Sequence, residues 1–222
     1  MLHRHDLLRV EPGAWDAMLR CNPHLADLPL VADWARLNRP VIVRRRMAGD
    51  YADGVPAALP LPPDYGKRRL AFSFASGAVV TVLPPVLLRD AASTAPSAWH
   101  PIVAALLNVG KAEGITPRVF GSLLWQHVTG LSYLTQRSDI DLLWSISEER
   151  SVASLVERLF RLDADASVRL DGELELPDGA AVNWRELARS GANLRDELLV
   201  KTMDGVEIRT RAALFRTPVS LS

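Results

Sequence analysis

A single cysteine, Cys21, stands in the 222-residue chain. One thiol excludes an intramolecular disulfide framework and suits a reducing compartment. Lysine is nearly as scarce, since Lys67, Lys111 and Lys201 are the only lysines among 26 basic residues. Arginine's planar fork suits bidentate phosphate recognition, although genome composition produces the same bias. Net charge is also missing: 26 acidic residues balance the 26 basic ones. Wholesale electrostatic binding to nucleic acid or to an anionic membrane is therefore not expected. No apolar run approaches membrane-spanning length, and neither a leader-like segment, an internal repeat nor a low-complexity tract is visible. The expectation is a cytoplasmic protein with no nucleic-acid and no membrane partner. What is present is ordinary for a globular chain, with 48% hydrophobic and 23% charged residues. This length supports one large domain or two small ones, and either can bury a core.

The chemistry concentrates between Arg118 and Trp144. Val119 and Phe120 form a brief apolar run that Gly121-Ser122 breaks. Ser122 is a good helix N-cap, Leu123, Leu124, Trp125 and Val128 supply an apolar face, and Gly130 is a natural left-handed stop. Residues 138–144 then read as a strand, whose alternation puts Asp139 and Asp141 on one face. Two carboxylates roughly 7 Å apart along a strand repel unless a cation lies between them. Mg²⁺ suits them, because it takes hard oxygen ligands and leaves positions for substrate phosphates. Gly121 lets a phosphate approach the backbone, and the helix start after Ser122 offers unpaired N–H groups. An ordinary helix start and a solvated Asp-x-Asp strand edge account for either half alone. Together, in a strand–turn–helix–strand context, they point to metal-assisted phosphoryl or nucleotidyl transfer with Asp139 and Asp141 as catalytic metal ligands.

Around this centre the chain reads as follows. Residues 1–10 look like a mobile start. Pro12 and residues 14–19 suggest a helix, and residues 25–37 a second, with Leu28, Val31, Trp34 and Leu37 at helical spacing and Pro29 near its first turn. Residues 40–44 form a strand ending in Arg44-Arg45-Arg46, a run that reads as a solvated edge. Residues 47–66 form a Pro-rich loop, and strands follow near 70–74 and 78–83. Gly66-Lys67-Arg68-Arg69 has phosphate-holding composition without the Walker A pattern, so a solvated strand start competes with a binding role. Helices are expected near 99–112 and 148–162. His100 and His127 read as packing or surface residues, with His127 the more suspect because it lies on the motif helix. Residues 166–176 alternate Val168, Leu170, Leu174 and Leu176 against Arg169, Asp171, Glu173 and Glu175. Residues 181–183 extend, 184–189 make a short helix, and 198–202 with 206–210 form a hairpin about Asp204-Gly205. Lys201 either neutralises phosphate or merely flanks that hairpin.

Gly121-Ser122 followed by Asp139-Ile140-Asp141 resembles the signature of the nucleotidyltransferase superfamily. The fuller string, with Trp125-Gln126, Thr129-Gly130-Leu131, Tyr133-Leu134 and the run from Ser138 to Trp144, is similar to one family within it, the phosphoribosyl-dephospho-CoA transferases of malonate decarboxylase, or holo-acyl-carrier-protein synthases. Arg39 to Arg46, Leu59-Pro-Leu-Pro-Pro63 with Gly66 to Arg69, and Asp178 to Leu187 agree, although Ala57-Ala58 stand where that family usually has Val-Gly. The resemblance implies an α+β fold in which a nucleotidyltransferase-like mixed sheet with flanking helices, residues 95–222, follows a smaller α+β domain, residues 1–90, that clamps the donor or docks the carrier. It implies transfer of the 2′-(5″-triphosphoribosyl)-3′-dephospho-CoA group to a serine of the malonate decarboxylase acyl-carrier subunit, with release of diphosphate and with Mg²⁺ as cofactor. It further implies a third catalytic carboxylate, either Asp171 or Glu173. Glu173 is preferred because Asp171-Gly172 also carries the signal of a bulge or turn. Gly121, Ser122, Lys67, Arg68, Arg69 and Lys201 are the expected substrate-binding residues. The rival readings are an enzyme of the same fold using ATP-type donors on another target, and a non-catalytic carrier-protein or nucleotide-binding module.

Overall fold

A computed structural model of the chain describes residues 2–28, 30–190 and 193–215. It divides into two compact units, one made of Met1–Pro85 with Val128–Tyr133, the other of Val86–His127 with Leu134–Ser222. Both mix helices and sheets, and the fold is α+β.

The first unit is built on a five-stranded antiparallel sheet in the order β4-β3-β2-β1-β5. Its strands are β1 (Leu7–Val10), β2 (Val41–Val43), β3 (Gly54–Pro60), β4 (Arg69–Ala75) and β5 (Val79–Leu83). Two short helices, α1 (Pro12–Cys21) and α2 (Pro23–Ala26), follow β1. Glu11 starts α1 by accepting from the Ala14 amide at 2.8 Å, with Pro12 in the first turn, where its missing N–H costs nothing. Trp15 packs edge-on to Phe72 with ring centres 5.3 Å apart, and donates its indole N–H to the Val31 carbonyl.

Four expectations for this unit fail, each for a physical reason. Residues 7–10 are no mobile start but an inner strand, paired on both sides. The helix over 25–37 stops at Ala26, because Leu30 and Asn38 adopt left-handed φ of 74° and 54° and the intervening chain forms turns; Pro29 lies outside the described residues. Trp34 is nonetheless fully buried and donates to the Pro40 carbonyl at 2.9 Å. The Pro-rich loop contains β3, whose residues from Gly54 to Leu59 are buried. Pro56 is tolerated there because strand pairing with β2 begins only at Ala57. Finally, Arg44 is no solvated edge. It pairs with Asp50 at 2.5 Å and donates to the Ala57 and Phe72 carbonyls, tying three stretches of chain together. That guanidinium, donating to Asp50, holds its carboxyl below the usual range.

The second unit carries a six-stranded mixed sheet in the order β11-β10-β9-β8-β7-β6. Its elements are α3 (Leu88–Ala91), α4 (His100–Glu113), β6 (Arg118–Phe120), α5 (Gly121–Thr129), β7 (Ile140–Ser145), α6 (Arg150–Asp165), β8 (Leu170–Glu175), β9 (Ala181–Asn183), α7 (Trp184–Arg189), β10 (Glu197–Lys201) and β11 (Val206–Thr210). Only β7 and β8 run parallel, and α6 makes the crossover between them. The amphipathic face of α6 buries Val152, Leu155 and Leu159 and packs on α4 and α7. Trp144 and Trp184 are fully buried in the same unit. Among the described residues, no helix is long and apolar enough to cross a membrane.

Candidate active site

The motif lies at one end of the β6–β7–β8 ribbon. Phe120 pairs with Asp141 across the antiparallel β6–β7 ladder, so Gly121 falls directly beside the Asp141 side chain. Gly121 has φ +64°, and a Cβ built there would stand 1.9 Å from Asp141 Oδ2. Glycine is thus required twice, by its left-handed backbone and by the carboxylate packed against it. This requirement lies within the protein itself and is separate from the expected close approach of a phosphate. Helix α5 begins at Gly121, so Ser122 is a first-turn residue of the helix rather than a cap in front of it. Gly130 ends α5 with φ +69°, as its left-handed preference leads one to expect.

Asp139 immediately precedes β7, with a side chain 31% exposed, and Asp141 lies within the strand. Parallel pairing puts Asp171 opposite Asp141 and Glu173 opposite Leu143. Of the two carboxylates left open by alternation, Asp171 is therefore the neighbour of Asp141. The supposed bulge at Asp171-Gly172 does not occur. β8 runs unbroken through Gly172, where a Cβ would meet the Leu142 carbonyl oxygen at 2.1 Å. The missing side chain lets the two strands close on each other beside the acids. Glu173 is buried and engages Lys201 Nζ at 2.7 Å, so these two predicted residues form an ion pair with each other.

Neighbouring residues hold Asp171 in place. Asp163 Oδ1 accepts from the Leu170 amide at 3.0 Å and also pairs with Arg185, which donates to the Leu170 carbonyl. The start of β8 is gripped on both sides of one residue, Leu170. Asn183 caps α7 by accepting from the Arg185 amide, and its Nδ2 donates to Asp171 Oδ1 at 2.9 Å. Sequence reasoning missed Asn183; the available signal was an Asn immediately before a short helix. It also gave no role to Arg169, whose guanidinium lies 3.0 Å from Asp171 Oδ2 and 3.7 Å from Asp139 Oδ2.

The electrostatics follow from this crowding. Burial, then the charges of Asp139 and Asp171, push the Asp141 carboxyl up to about 7; Arg169 opposes the rise and Glu173 adds to it. Such a concentration of carboxylate oxygens stabilises a hard cation. Magnesium fits this donor set, because it is usually held by one or two carboxylates with water and substrate oxygens filling the rest. Among the described residues, no group of three or more His, Cys, Asp or Glu side chains is placed to hold a metal ion. An open cleft of about 760 Å³ reaches Asp139, the one member of the acid cluster that lines it, together with Arg137, Arg169, Thr135, Ser138 and Ser167. His127 Nδ1 is engaged with Thr94 Oγ1 at 2.9 Å and, among the described residues, has no hydrogen bond to the acid cluster.

Lys67, Arg68 and Arg69 belong to the first unit. All three are exposed, and their side chains have no ion pair or hydrogen bond among the described residues. Strict alternation does not apply to them, since Lys67 is left-handed with φ 50° and β4 begins only at Arg69.

Comparison with known proteins agrees across both units. Residues 3–85 match the N-terminal domain, and residues 87–212 the C-terminal domain, of the family described as phosphoribosyl-dephospho-CoA transferase MdcG. A phosphoribosyl-dephospho-CoA transferase of Bradyrhizobium diazoefficiens is 41% identical over 208 residues, covering 94% of this chain and 90% of its own. Another, of Xanthomonas euvesicatoria pv. vesicatoria, is 37% identical over 216 residues, with 97% of each chain covered. One of Xanthomonas axonopodis pv. citri is 34% identical with the same coverage. No solved structure matches the chain. The α+β scaffold and these relatives define an enzyme of the transferase class. Within it, the chain belongs to the phosphoribosyl-dephospho-CoA transferase family.

Proposed function

We propose that this enzyme uses 2′-(5″-triphosphoribosyl)-3′-dephospho-CoA as donor and transfers its 2′-(5″-phosphoribosyl)-3′-dephospho-CoA group to a serine hydroxyl of the malonate decarboxylase acyl-carrier subunit. The new bond is a phosphodiester between the serine oxygen and the donor's α-phosphorus, and diphosphate leaves. The observation that carries this reading is the packing of the Asp141 carboxylate against Gly121, with Asp139 and Asp171 beside it. It joins an acid cluster to the start of a helix, the two features that anionic phosphoryl chemistry needs.

Asp139 and Asp141 would hold Mg²⁺, which when bound polarises a phosphoryl oxygen and offsets charge developing in the transition state. The chain's own groups do the rest. The first-turn amides of α5 bind phosphate oxygens, aided by the helix dipole. Asp171, fixed by Asn183, keeps the acid cluster in register. Glu173 and Lys201 neutralise each other beneath it. Arg137 and Arg169 line the adjoining cleft with positive charge suited to a polyphosphate. Lys67, Arg68 and Arg69 supply further cations for the donor from the first unit, or for docking of the carrier.

The test is incubation with purified carrier subunit, Mg²⁺ and the dephospho-CoA donor, followed by mass spectrometry of the carrier. The expected result is a carrier heavier by one prosthetic group on a serine, with stoichiometric diphosphate. A carrier modified only when ATP replaces that donor would overturn the donor assignment, and an unmodified carrier would overturn the reaction.

A further inference from the structure

The acid cluster already has a cation of the protein's own. Arg169 spans Asp139 and Asp171, the two carboxylates whose charges act on Asp141, while its side chain remains 60% exposed. Its backbone is fixed, since its carbonyl accepts from the Ile140 amide at 3.0 Å and so ties the start of β7 to the start of β8. The long side chain above that anchor is free to change partners. An ion pair this exposed contributes little and exchanges readily. The same side chain lines the open cleft together with Arg137, which has no side-chain ion pair or hydrogen bond among the described residues. Two guanidinium forks bordering one cleft beside an acid cluster match a polyanion whose oxygens accept bidentate hydrogen bonds.

We infer that Arg169 is a displaceable placeholder: it neutralises Asp139 and Asp171 until a divalent cation held by Asp139 and Asp141 displaces it, then turns into the cleft and binds phosphate oxygens of the donor alongside Arg137. This rests on the metal-assisted reading above and adds a coupling to it. Binding of the cation releases the arginine that the phosphates need, so each ligand strengthens the other.

Binding measurements separate the two layers without recourse to turnover. Mn²⁺ serves as the cation probe and inorganic diphosphate as the phosphate probe. Arg169→Gln removes the competitor, so Mn²⁺ alone should bind about twofold to fivefold more tightly. In the presence of Mn²⁺, diphosphate should bind at least about tenfold more weakly, having lost a charge-assisted bidentate contact. Arg137→Gln should weaken diphosphate while leaving Mn²⁺ affinity unchanged. Arg169→Lys keeps the charge but loses the fork, and carries the test should the glutamine variant not fold. Its Mn²⁺ affinity should stay that of the parent while diphosphate weakens severalfold. Unchanged or weaker Mn²⁺ binding in Arg169→Gln, or unchanged diphosphate binding in either Arg169 variant, overturns the placeholder role. Asp141→Asn tells the layers apart. If it abolishes Mn²⁺ binding while the Arg169 variants behave like the parent, only this inference falls. If it leaves Mn²⁺ binding intact, the metal reading falls and the placeholder with it.

Discussion

Replacing Gly121 with alanine tests the central contact most directly. The new methyl would stand 1.9 Å from Asp141 Oδ2, 2.8 Å from its Cγ and 3.2 Å from its Cβ. Two costs follow. The left-handed backbone at φ +64° costs an L-residue about 1–2 kcal/mol. Forcing the packed carboxylate aside adds about 1–3 kcal/mol, as small-to-large changes in tight packing do. Gly121→Ala should therefore destabilise the fold by about 2–5 kcal/mol. In an Asp141→Ala background the two closest atoms are gone and the nearest survivor is the Cβ at 3.2 Å. Only the backbone cost should then remain, which leaves a coupling of about 1–3 kcal/mol in the double-mutant cycle. Urea unfolding of the four proteins measures it, and the cycle cancels whatever Asp141→Ala does by itself. An identical cost for Gly121→Ala in both backgrounds would show that the carboxylate does not dictate this glycine.

Further outcomes can be checked with the same methods. Because the folded state holds the Asp141 carboxyl at about 7, it retains a proton that the unfolded chain releases near its ordinary value of about 4. The contribution of this group to stability should fall as pH rises between about 4 and about 7, and the parent-minus-Asp141→Asn difference should show that slope; a flat difference refutes it. Lys201→Ala leaves the buried Glu173 without its 2.7 Å partner, and breaking such a pair should cost about 3 kcal/mol at neutral pH. Denaturation curves matching those of Lys201→Arg would contradict this. Alanine at Lys67, Arg68 or Arg69 should leave stability within about 0.5 kcal/mol, as expected for exposed side chains that have no partner among the described residues. A loss of donor affinity in any of them would then report a phosphate contact, whereas three normal donor affinities would make carrier docking the better role for the first unit.

Legibility in the sequence followed locality. The succession β6, α5, β7 was readable because each step has its own signal: an apolar run, a Gly-Ser break, an apolar helical face, a glycine stop, then alternation. Helices α4 and α6 were readable from periodicity alone. β1 and β3 were not, since Leu7–Val10 lacks alternation and the β3 segment is rich in proline; both owe their strand state to partners distant in sequence. The third acidic residue was hidden for a related reason. Alternation places Asp171 and Glu173 on one face, and only the register with β7, a property of two strands separated by a helix, brings Asp171 next to Asp141. Arg44 misled by its company. Three adjacent arginines suggest solvent, yet the first is committed to Asp50 and two backbone carbonyls.

The segment Val128–Tyr133 belongs to the first unit although the chain on either side of it belongs to the second. Tyr133 is buried there, 4% exposed, with its hydroxyl donating to the Pro60 carbonyl at 2.8 Å, and burial raises its phenol above the usual range. The unit is therefore not a cassette that can be cut out and exchanged. A chimera that takes residues 1–85 from one relative and the remainder from another inherits Pro60 from one parent and Tyr133 from the other. Insertions and deletions around residue 130 are constrained in the same way, because Val128–Tyr133 is packed as part of the first unit. In lineages of this enzyme, the two halves are expected to have travelled together.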